Sequence, residues 1–183
     1  MRVAVHTLGC KLNYAESSTI AREFADRGYE VVPSTEEADI YVINTCSVTE
    51  HSDKKDRNLI RRLHRRSPGA VIAVVGCYAQ LRGDEIAALE GVDIVLGAGT
   101  KGQVADEVER LLAAGGHGQA PQKLELCDID SVRNIFPAYS TGERTRAFLK
   151  IQDGCDYKCS YCTVPYARGG SRSLPKAMLL EQA

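Results

Sequence analysis

Two short segments of this chain are apolar at every position, and they narrow the possible folds more than any other feature. They are Ile40-Tyr-Val-Ile43 and Val71-Ile-Ala-Val-Val75. A strand that is apolar on both faces has to be covered on both faces, as parallel strands flanked by helices are. Strands are predicted at residues 3–7, 29–32, 39–44, 70–76 and 93–96, alternating with helices at 15–27, 53–66, 84–90 and 103–113. We therefore predict an α/β fold with a flavodoxin-like, doubly wound parallel sheet.

The composition of the chain changes after residue 113. Residues 114–121 are rich in glycine and end in proline, and turn-forming residues recur up to residue 142. We interpret 114–142 as a linker between a first domain at 1–113 and a second one that starts at 143. An apolar strand is predicted at 147–151, directly before a run of cysteines.

Charge and cysteine content exclude several classes of protein. The formal net charge of the 183 residues is -1, so no overall basic field marks a nucleic-acid-binding protein. The first ten residues resemble a strand and not a signal peptide, and no apolar run approaches a membrane span. Seven cysteines without a secretion signal fit a reducing compartment and metal binding better than a disulfide framework. We expect a cytoplasmic protein that does not associate with membranes.

Three of the cysteines form a C-x3-C-x2-C cluster, Cys155, Cys159 and Cys162. Structural zinc sites normally take four protein ligands, and no His or further Cys follows Cys162. An iron–sulfur cluster of four irons bound by three cysteines instead leaves one iron without a protein ligand, which is then open to a substrate or cofactor. The spacing therefore indicates reactive chemistry rather than a structural zinc site.

Three other cysteines each follow a predicted strand. Cys10, Cys46 and Cys77 come after the strands at 3–7, 39–44 and 70–76. In a strand order of 2-1-3-4-5 these strands are neighbours, about 4.8 Å apart, and their carboxyl ends form the edge where open α/β sheets bind ligands. The alternative is that three small buried cysteines simply pack at strand ends. Cys127 stands alone in the predicted linker, and we expect it not to be a ligand.

Several polar residues have a structural interpretation beside a functional one. Asn13-x-x-Glu16, Ser47-x-x-Glu50 and Thr100-x-x-Gln103 each match a helix-capping pattern, so Asn13 and Glu16 are predicted to cap a helix. The helix after Cys46 carries a basic outer face, which either follows nucleic-acid phosphates or is a solvated surface. The basic residues are Lys54, Lys55, Arg57, Arg61, Arg62, Arg65 and Arg66.

Taken together, four motifs resemble the radical SAM methylthiotransferase family. The motifs are Leu8-Gly-Cys-Lys-Leu-Asn13, Asn44-Thr-Cys-Ser-Val-Thr49, Gly76-Cys77 and the cluster from Gly154 to Cys162. Extended to Ser17, the first motif is most similar to the branch that acts on N6-threonylcarbamoyladenosine of tRNA, and so is Pro165-Tyr-Ala-Arg-Gly-Gly-Ser-Arg-Ser173. The resemblance covers nearly the whole chain.

The resemblance implies two 4Fe–4S clusters and the cofactor S-adenosylmethionine. Cys155, Cys159 and Cys162 would hold the cluster that binds S-adenosylmethionine and generates a radical from it. Cys10, Cys46 and Cys77 would hold an auxiliary cluster that carries the sulfur to be inserted. A methylthio group would then be placed on C2 of N6-threonylcarbamoyladenosine at position 37 of tRNA.

Further expectations follow from the same resemblance. Tyr161 and Arg168 are candidate contacts of S-adenosylmethionine, and no other catalytic residue is expected beyond the cluster ligands. Tyr161 has the alternative of being a packing residue under the loop, and Arg168 and Arg172 have the alternative of being solvated loop residues. The partners would be the anticodon stem-loop of tRNA and an electron donor such as flavodoxin or ferredoxin, and the protein would be a monomer.

The resemblance also assigns a role to each predicted domain. Residues 1–113 would be the auxiliary-cluster domain, and 143–183 would be the first strand and the cluster loop of a radical SAM (βα) barrel. Such a barrel needs on the order of 200 residues, so we expect the chain to be truncated at its C-terminus. The alternatives are a methylthiotransferase acting on isopentenyladenosine in tRNA or on an aspartate of ribosomal protein S12, and an inactive fragment that only binds iron–sulfur clusters.

Overall fold

A six-stranded parallel sheet organises the chain. The computed structural model describes residues 1–47, 50–118, 122–140 and 146–183, without the side chains of Glu50 and His51. The strand order is β2-β1-β3-β4-β5-β6, which confirms the predicted α/β class and the order 2-1-3-4-5 of the first five strands. The strands are β1 (Arg2–Thr7), β2 (Glu30–Val32), β3 (Ile40–Thr45), β4 (Val71–Gly76), β5 (Ile94–Leu96) and β6 (Lys123–Glu125).

The two apolar segments are the central strands β3 and β4. All six residues of each strand are buried. Along β3 the side chains alternate between two apolar cores, Tyr41 and Ile43 in one and Ile40 and Val42 in the other. Because both faces of the sheet are covered, a polar side chain pointing to either face would lose its hydration. This explains why the strands are apolar at every position.

Helices cover the two faces of the sheet in the manner expected of a doubly wound fold. On one face, α2 packs through Leu59, Ile60 and Leu63. On the other face, α1 and α5 contribute Ile20 and Val108, among others. The helices are α1 (Lys11–Asp26), α2 (Glu50–Arg66), α3 (Cys77–Leu81), α4 (Gly83–Ala87), α5 (Val104–Ala113), α6 (Val164–Arg168) and α7 (Lys176–Gln182). No helix in the described parts of the chain combines the length and the apolar character that a membrane span requires.

The sheet extends into the segment predicted to be a linker. β6 lies between residues 114 and 142 and pairs in parallel with β5, Val95 opposite Leu124. Beyond it, four two-residue strands form two small antiparallel pairs, and the strand predicted at 147–151 is shortened to residues 148–149. These strands are β7 (Tyr139–Ser140), β8 (Phe148–Leu149), β9 (Gln152–Asp153) and β10 (Arg172–Ser173).

The predicted capping role of Asn13 and Glu16 is wrong. α1 begins at Lys11, with Cys10 at its N-cap, so both residues lie inside the helix, and both are buried. The Thr100-x-x-Gln103 pattern does not cap either, because the Thr100 hydroxyl donates to the carbonyl of Glu125. The third pattern, Ser47-x-x-Glu50, spans positions 48 and 49, which lie outside the described residues.

Candidate functional site

The carboxyl ends of three adjacent strands carry the N-terminal cysteines. Cys10 is the N-cap of α1 after β1, Cys46 follows β3 directly, and Cys77 is the first residue of α3 after β4. β3 pairs with both β1 and β4. The predicted placement of the three cysteines on neighbouring strands at one sheet edge is therefore confirmed.

A glycine lets the turn after β1 pass directly against Cys46. Gly9 has a φ of 103°, a conformation that other residues rarely adopt. A Cβ atom at this position would lie 2.5 Å from Cβ and 2.6 Å from Sγ of Cys46. The missing side chain thus allows the residue next to Cys10 to contact Cys46, which draws two of the three cysteine positions together.

The second cysteine loop lies against the same sheet edge. The hydroxyl of Thr163, next to Cys162, donates to the carbonyl of Ser47, next to Cys46, over 3.0 Å. The short helix α6, which follows this loop, packs against α3, which begins with Cys77. The two cysteine sets, more than 75 residues apart in sequence, therefore belong to one region of the molecule.

The backbone of the second loop is held by the chain that follows it. The amide of Cys155 donates to the carbonyl of Gly169 over 3.0 Å. Gly154 has a φ of 74°, and a Cβ there would meet the carbonyl oxygen of Gly170 at 2.1 Å. The start of the cysteine loop is accordingly clamped by backbone contacts that only glycine permits.

The donor chemistry of the region fits iron–sulfur clusters. All seven cysteines are free of disulfide bonds, and six of them occupy the two sets. Thiolates are the ligands that such clusters prefer. No three Cys, His, Asp or Glu side chains of the described residues converge closely enough to hold a single metal ion. The type of ligand and its position at the sheet edge thus fit iron–sulfur clusters, although the sulfur atoms of the described residues are not yet close enough together to bind one metal ion.

A buried set of charged and polar residues connects the part of the region around the N-terminal cysteines with the part around the second cysteine loop. We call this set the ionic cluster. Its members are Asn13 and Glu16 of α1, Lys101, Lys150, Asp153 and Arg168. Both lysines place Nζ 2.6 Å from Oε1 of Glu16, and Lys150 also lies 2.6 Å from Oδ2 of Asp153. Since buried charges are normally paired, these contacts are what permits so many ionised groups in the interior.

Arg168 connects the ionic cluster to the cysteines. Its guanidinium lies 2.8 Å from Oδ1 of Asp153, 3.1 Å from Oε1 of Glu16 and 2.6 Å from Oδ1 of Asn13. Burial acts against its charged form, but Glu16, Cys77 and Asp153 raise the pKa of Arg168 above its usual range. The charge of Arg168 thus interacts with both carboxylates and with Cys77.

The same contacts keep both carboxylates ionised. Burial alone would raise the pKa of Glu16, but the positive charges of Lys101, Arg168 and Lys150 outweigh it and hold that pKa far below its usual range. Burial likewise opposes ionisation of Asp153, and the same three cations lower its pKa. Burial also lowers the pKa of Lys101, with Glu16 and Asp153 acting against that shift.

Asn13 ties the ionic cluster to the turns that carry Cys10 and Cys46. Its amide nitrogen donates to the carbonyls of Leu8 and Thr45, both over 2.8 Å. Its Oδ1 lies 3.7 Å from Sγ of Cys10 in addition to accepting from Arg168. One buried side chain thereby fixes the ends of β1 and β3 relative to Arg168.

An acidic residue also lies against Cys46. The backbone N–H of Cys46 donates to Oδ2 of Asp56 over 3.3 Å. Burial raises the pKa of Asp56 to about 7, although this N–H and Arg57 act against the shift and Asp53 adds to it. Asp56 consequently changes charge near neutral pH, beside one of the cysteines.

The remaining residues singled out from the sequence lie outside the ionic cluster. Tyr161 is 89 % exposed. Arg172 donates to the carbonyls of Gly170 and Arg168, so it supports the chain after the cysteine loop. Cys127 is half-buried, and its thiol donates to Oε1 of Gln80 over 3.3 Å. Contact of Tyr161 or Arg168 with a cofactor stays a prediction.

Sequence reasoning missed three members of the ionic cluster. Lys101, Lys150 and Asp153 match no motif, and the pair Lys101–Glu16 joins residues 85 positions apart. A signal was present at Lys150, a cation in the middle of the predicted apolar strand 147–151, which implies a buried carboxylate partner. The partner itself was not identifiable without the fold.

Comparison with known proteins agrees with the cysteine motifs of the chain. The model of a family described as uncharacterized protein family UPF0004 matches residues 2–97. Over 99% of its length the chain is 41% identical to the threonylcarbamoyladenosine tRNA methylthiotransferase MtaB of Bacillus subtilis, and over its whole length 38% identical to that of Aquifex aeolicus. It is 33% identical over 98% of its length to the tRNA-2-methylthio-N(6)-dimethylallyladenosine synthase of Methylacidiphilum infernorum. The chain spans 40%, 44% and 39% of these three relatives, respectively.

Proposed function

The chain belongs to the uncharacterized protein family UPF0004, and we propose that it forms part of a tRNA methylthiotransferase. The substrate would be N6-threonylcarbamoyladenosine at position 37 of tRNA, and the product its 2-methylthio derivative. The observation that carries the proposal is the match of nearly the whole chain to relatives that bear the methylthiotransferase name. The location of two cysteine sets at one sheet edge supports it.

The choice of substrate rests on the degree of similarity. Relatives named for threonylcarbamoyladenosine are 41%, 38% and 34% identical to the chain. Those named for dimethylallyladenosine reach 33% and 31%. The difference favours threonylcarbamoyladenosine, and the dimethylallyl nucleoside is the second candidate.

Two groups of cysteines would hold the two clusters. Cys10, Cys46 and Cys77 would bind the auxiliary 4Fe–4S cluster, and Cys155, Cys159 and Cys162 the cluster that works with S-adenosylmethionine. When bound, these groups supply the radical and sulfur chemistry that an unreactive adenine C–H bond requires. The chain contributes the thiolates and the backbone that presents them.

The ionic cluster would hold the two cysteine sets at fixed positions relative to each other. Glu16 and Asn13 belong to the helix that begins beside Cys10, whereas Asp153 and Arg168 flank the second cysteine loop. Because every member is buried, the contacts exclude water and lose little strength to screening.

We also infer the setting in which the protein works. A tRNA substrate places it in the cytoplasm, and reduction of a cluster requires an electron donor such as flavodoxin or ferredoxin. We expect the protein to act as a monomer.

Cluster content provides the first test. Anaerobic reconstitution of the chain with iron and sulfide is expected to yield about eight irons and eight sulfides per chain. Replacing Cys10, Cys46 and Cys77 together by Ala should remove about half of the iron, and so should the matching replacement of Cys155, Cys159 and Cys162. Cys127→Ala serves as the control that leaves the iron content unchanged. Zinc in place of iron, or a single cluster, would contradict the two-cluster assignment.

Nucleoside analysis tests the substrate. Residues 1–183 would replace the matching part of the Bacillus subtilis relative, in a strain that lacks that relative. Mass spectrometry of digested tRNA is expected to show 2-methylthio-N6-threonylcarbamoyladenosine. Methylthiolation of the dimethylallyl nucleoside instead would select the second candidate. The chain on its own is expected to show little or no activity.

A further inference from the structure

A shallow groove between α2 and the β1 segment concentrates positive charge. It has a volume of about 460 Å³ and is lined by Lys55, Asn58, Arg61, Arg62 and Arg65, among others. The lining residues repeat at intervals of three and four, which places them on one side of the helix. From Lys55 to Arg65 the helix rises about 15 Å, which along the axis of a B-form duplex corresponds to about four phosphates of one strand.

Among the side chains that the structure describes, no carboxylate forms an ion pair with the cations of the groove. Arg61, Arg62, Arg65 and Lys55 are exposed, and none of them forms an ion pair with a side chain that the structure describes. The two other arginines of the helix differ in this respect. Arg57 donates to the hydroxyl of Tyr78, and Arg66 donates to the backbone carbonyls of residues 34–36. Helix α2 thus separates its structural arginines from a set left available for a ligand.

The floor of the groove leads to the cysteine edge. His6 and Leu8 of the β1 segment line it, and Cys10 follows two residues later. Burial, together with the positive charge of Arg62, lowers the pKa of His6. Nδ1 of this neutral imidazole has no hydrogen-bond partner among the described residues. The groove therefore offers a polar floor and a cationic wall at a short distance from the auxiliary-cluster cysteines.

We propose that this groove binds the sugar–phosphate backbone of the tRNA substrate near the nucleotide to be modified. The inference rests on the proposed function for the identity of the nucleic acid. Guanidinium groups match phosphate geometry, and like charges four residues apart on a helix repel one another, so a bound phosphate relieves that repulsion. The net charge of the chain is -1, so attraction to RNA has to come from a local concentration of charge rather than from the whole surface.

Binding of labelled tRNA to the 183-residue chain tests the proposal. The triple variant Arg61→Gln, Arg62→Gln and Arg65→Gln is compared with Arg110→Gln, Lys123→Gln and Lys176→Gln, which removes the same charge outside the groove. The groove variant is expected to raise Kd about tenfold or more and to reduce the slope of log K against log salt by about two to three. The control variant should change neither quantity by a comparable amount. Circular dichroism checks that both variants remain folded.

Two outcomes would overturn the proposal. One is tRNA binding that the groove variant leaves unchanged, and the other is equal weakening by groove and control variants. A parallel titration with flavodoxin identifies a protein occupant: if the groove variant weakens only that interaction, the groove belongs to the electron donor and the RNA assignment fails.

The test is separable from that of the proposed function. Backbone binding does not depend on the base, so unmodified tRNA and tRNA with the threonylcarbamoyl group should bind alike and lose affinity alike. If the chimeric enzyme makes no methylthiolated nucleoside but tRNA binding still depends on the groove arginines, the proposed function is refuted and the groove proposal stands. A methylthiolated product together with groove-independent binding would refute the groove alone.

Discussion

The guanidinium of Arg168 donates a hydrogen bond to Oδ1 of Asn13 over 2.6 Å, across 155 residues of sequence. Asn13 in turn donates to the carbonyl of Thr45, the residue before Cys46. One buried contact therefore links the chain that follows the second cysteine loop to the strand end that carries the first set. This link fixes the positions of the two sets relative to each other.

Arg168→Gln should loosen the C-terminal segment without unfolding the sheet. The variant loses charge-assisted hydrogen bonds to Asp153 and Glu16, each worth about 1.5–3 kcal/mol. Hydrogen exchange of residues 147–173 is expected to accelerate, while that of β3 and β4 stays slow. Lys158→Gln removes an exposed cation from the same segment and is the matched control. Uniform acceleration across the whole chain would contradict a local role.

Glu16→Gln should abolish an acid-sensitive part of the stability. A carboxylate whose pKa is lowered by folding stabilises the fold above its unfolded pKa of about 4.5, and this contribution disappears as the pH falls below that value. The variant is expected to lose about 3–5 kcal/mol at neutral pH, and the difference from the original chain should shrink on acidification. Urea unfolding across this pH range measures it.

An exposed carboxylate provides the comparison for Glu16. Glu109 pairs with Arg27 at the surface, so Glu109→Gln should cost less than about 1 kcal/mol. A loss for Glu16→Gln that does not vary with pH would mean that packing, and not charge, accounts for its effect.

Asp56→Asn should have the opposite pH dependence. Folding raises the pKa of Asp56 to about 7, so ionisation of this group destabilises the native state as the pH rises from about 4 to 7. Above pH 7 the variant is expected to be more stable than the original cluster-free chain, by on the order of 2–4 kcal/mol. Below pH 4 the two should be alike. Thermal unfolding at both extremes checks the sign, and a variant that is less stable at high pH would refute it.

Gly9→Ala should disturb the Cys46 environment more than backbone strain alone can explain. Gly28 provides the control, since it also has a positive φ of 86° but nothing within 4 Å of a new Cβ. Gly28→Ala is therefore expected to cost about 1–2 kcal/mol. Gly9→Ala should cost more and should reduce the iron bound by the N-terminal cysteines. Equal losses of stability in urea, with full iron content in both variants, would contradict the predicted clash.

The fold was predictable to the extent that local pattern and burial determine it. The apolar runs at β3 and β4 predicted central parallel strands, and the cysteines after them predicted the site edge. The start of α1 was misjudged because Asn13 and Glu16 imitate a capping pattern. Side-chain capping has to be inferred from a few residues, whereas the actual partners of Asn13 and Glu16 belong to distant parts of the chain.

Periodicity and motif spacing are properties of neighbouring residues, and for that reason the α/β class, the cysteine sets and the family could be inferred from the chain alone. Only the packing of the folded molecule brings Glu16, Lys101 and Arg168 into one buried ionic cluster. It also decided which cations of α2 are paired and which line an open groove. Both outcomes depend on packing between elements far apart in sequence, where charge is stabilised by partners that no local pattern specifies.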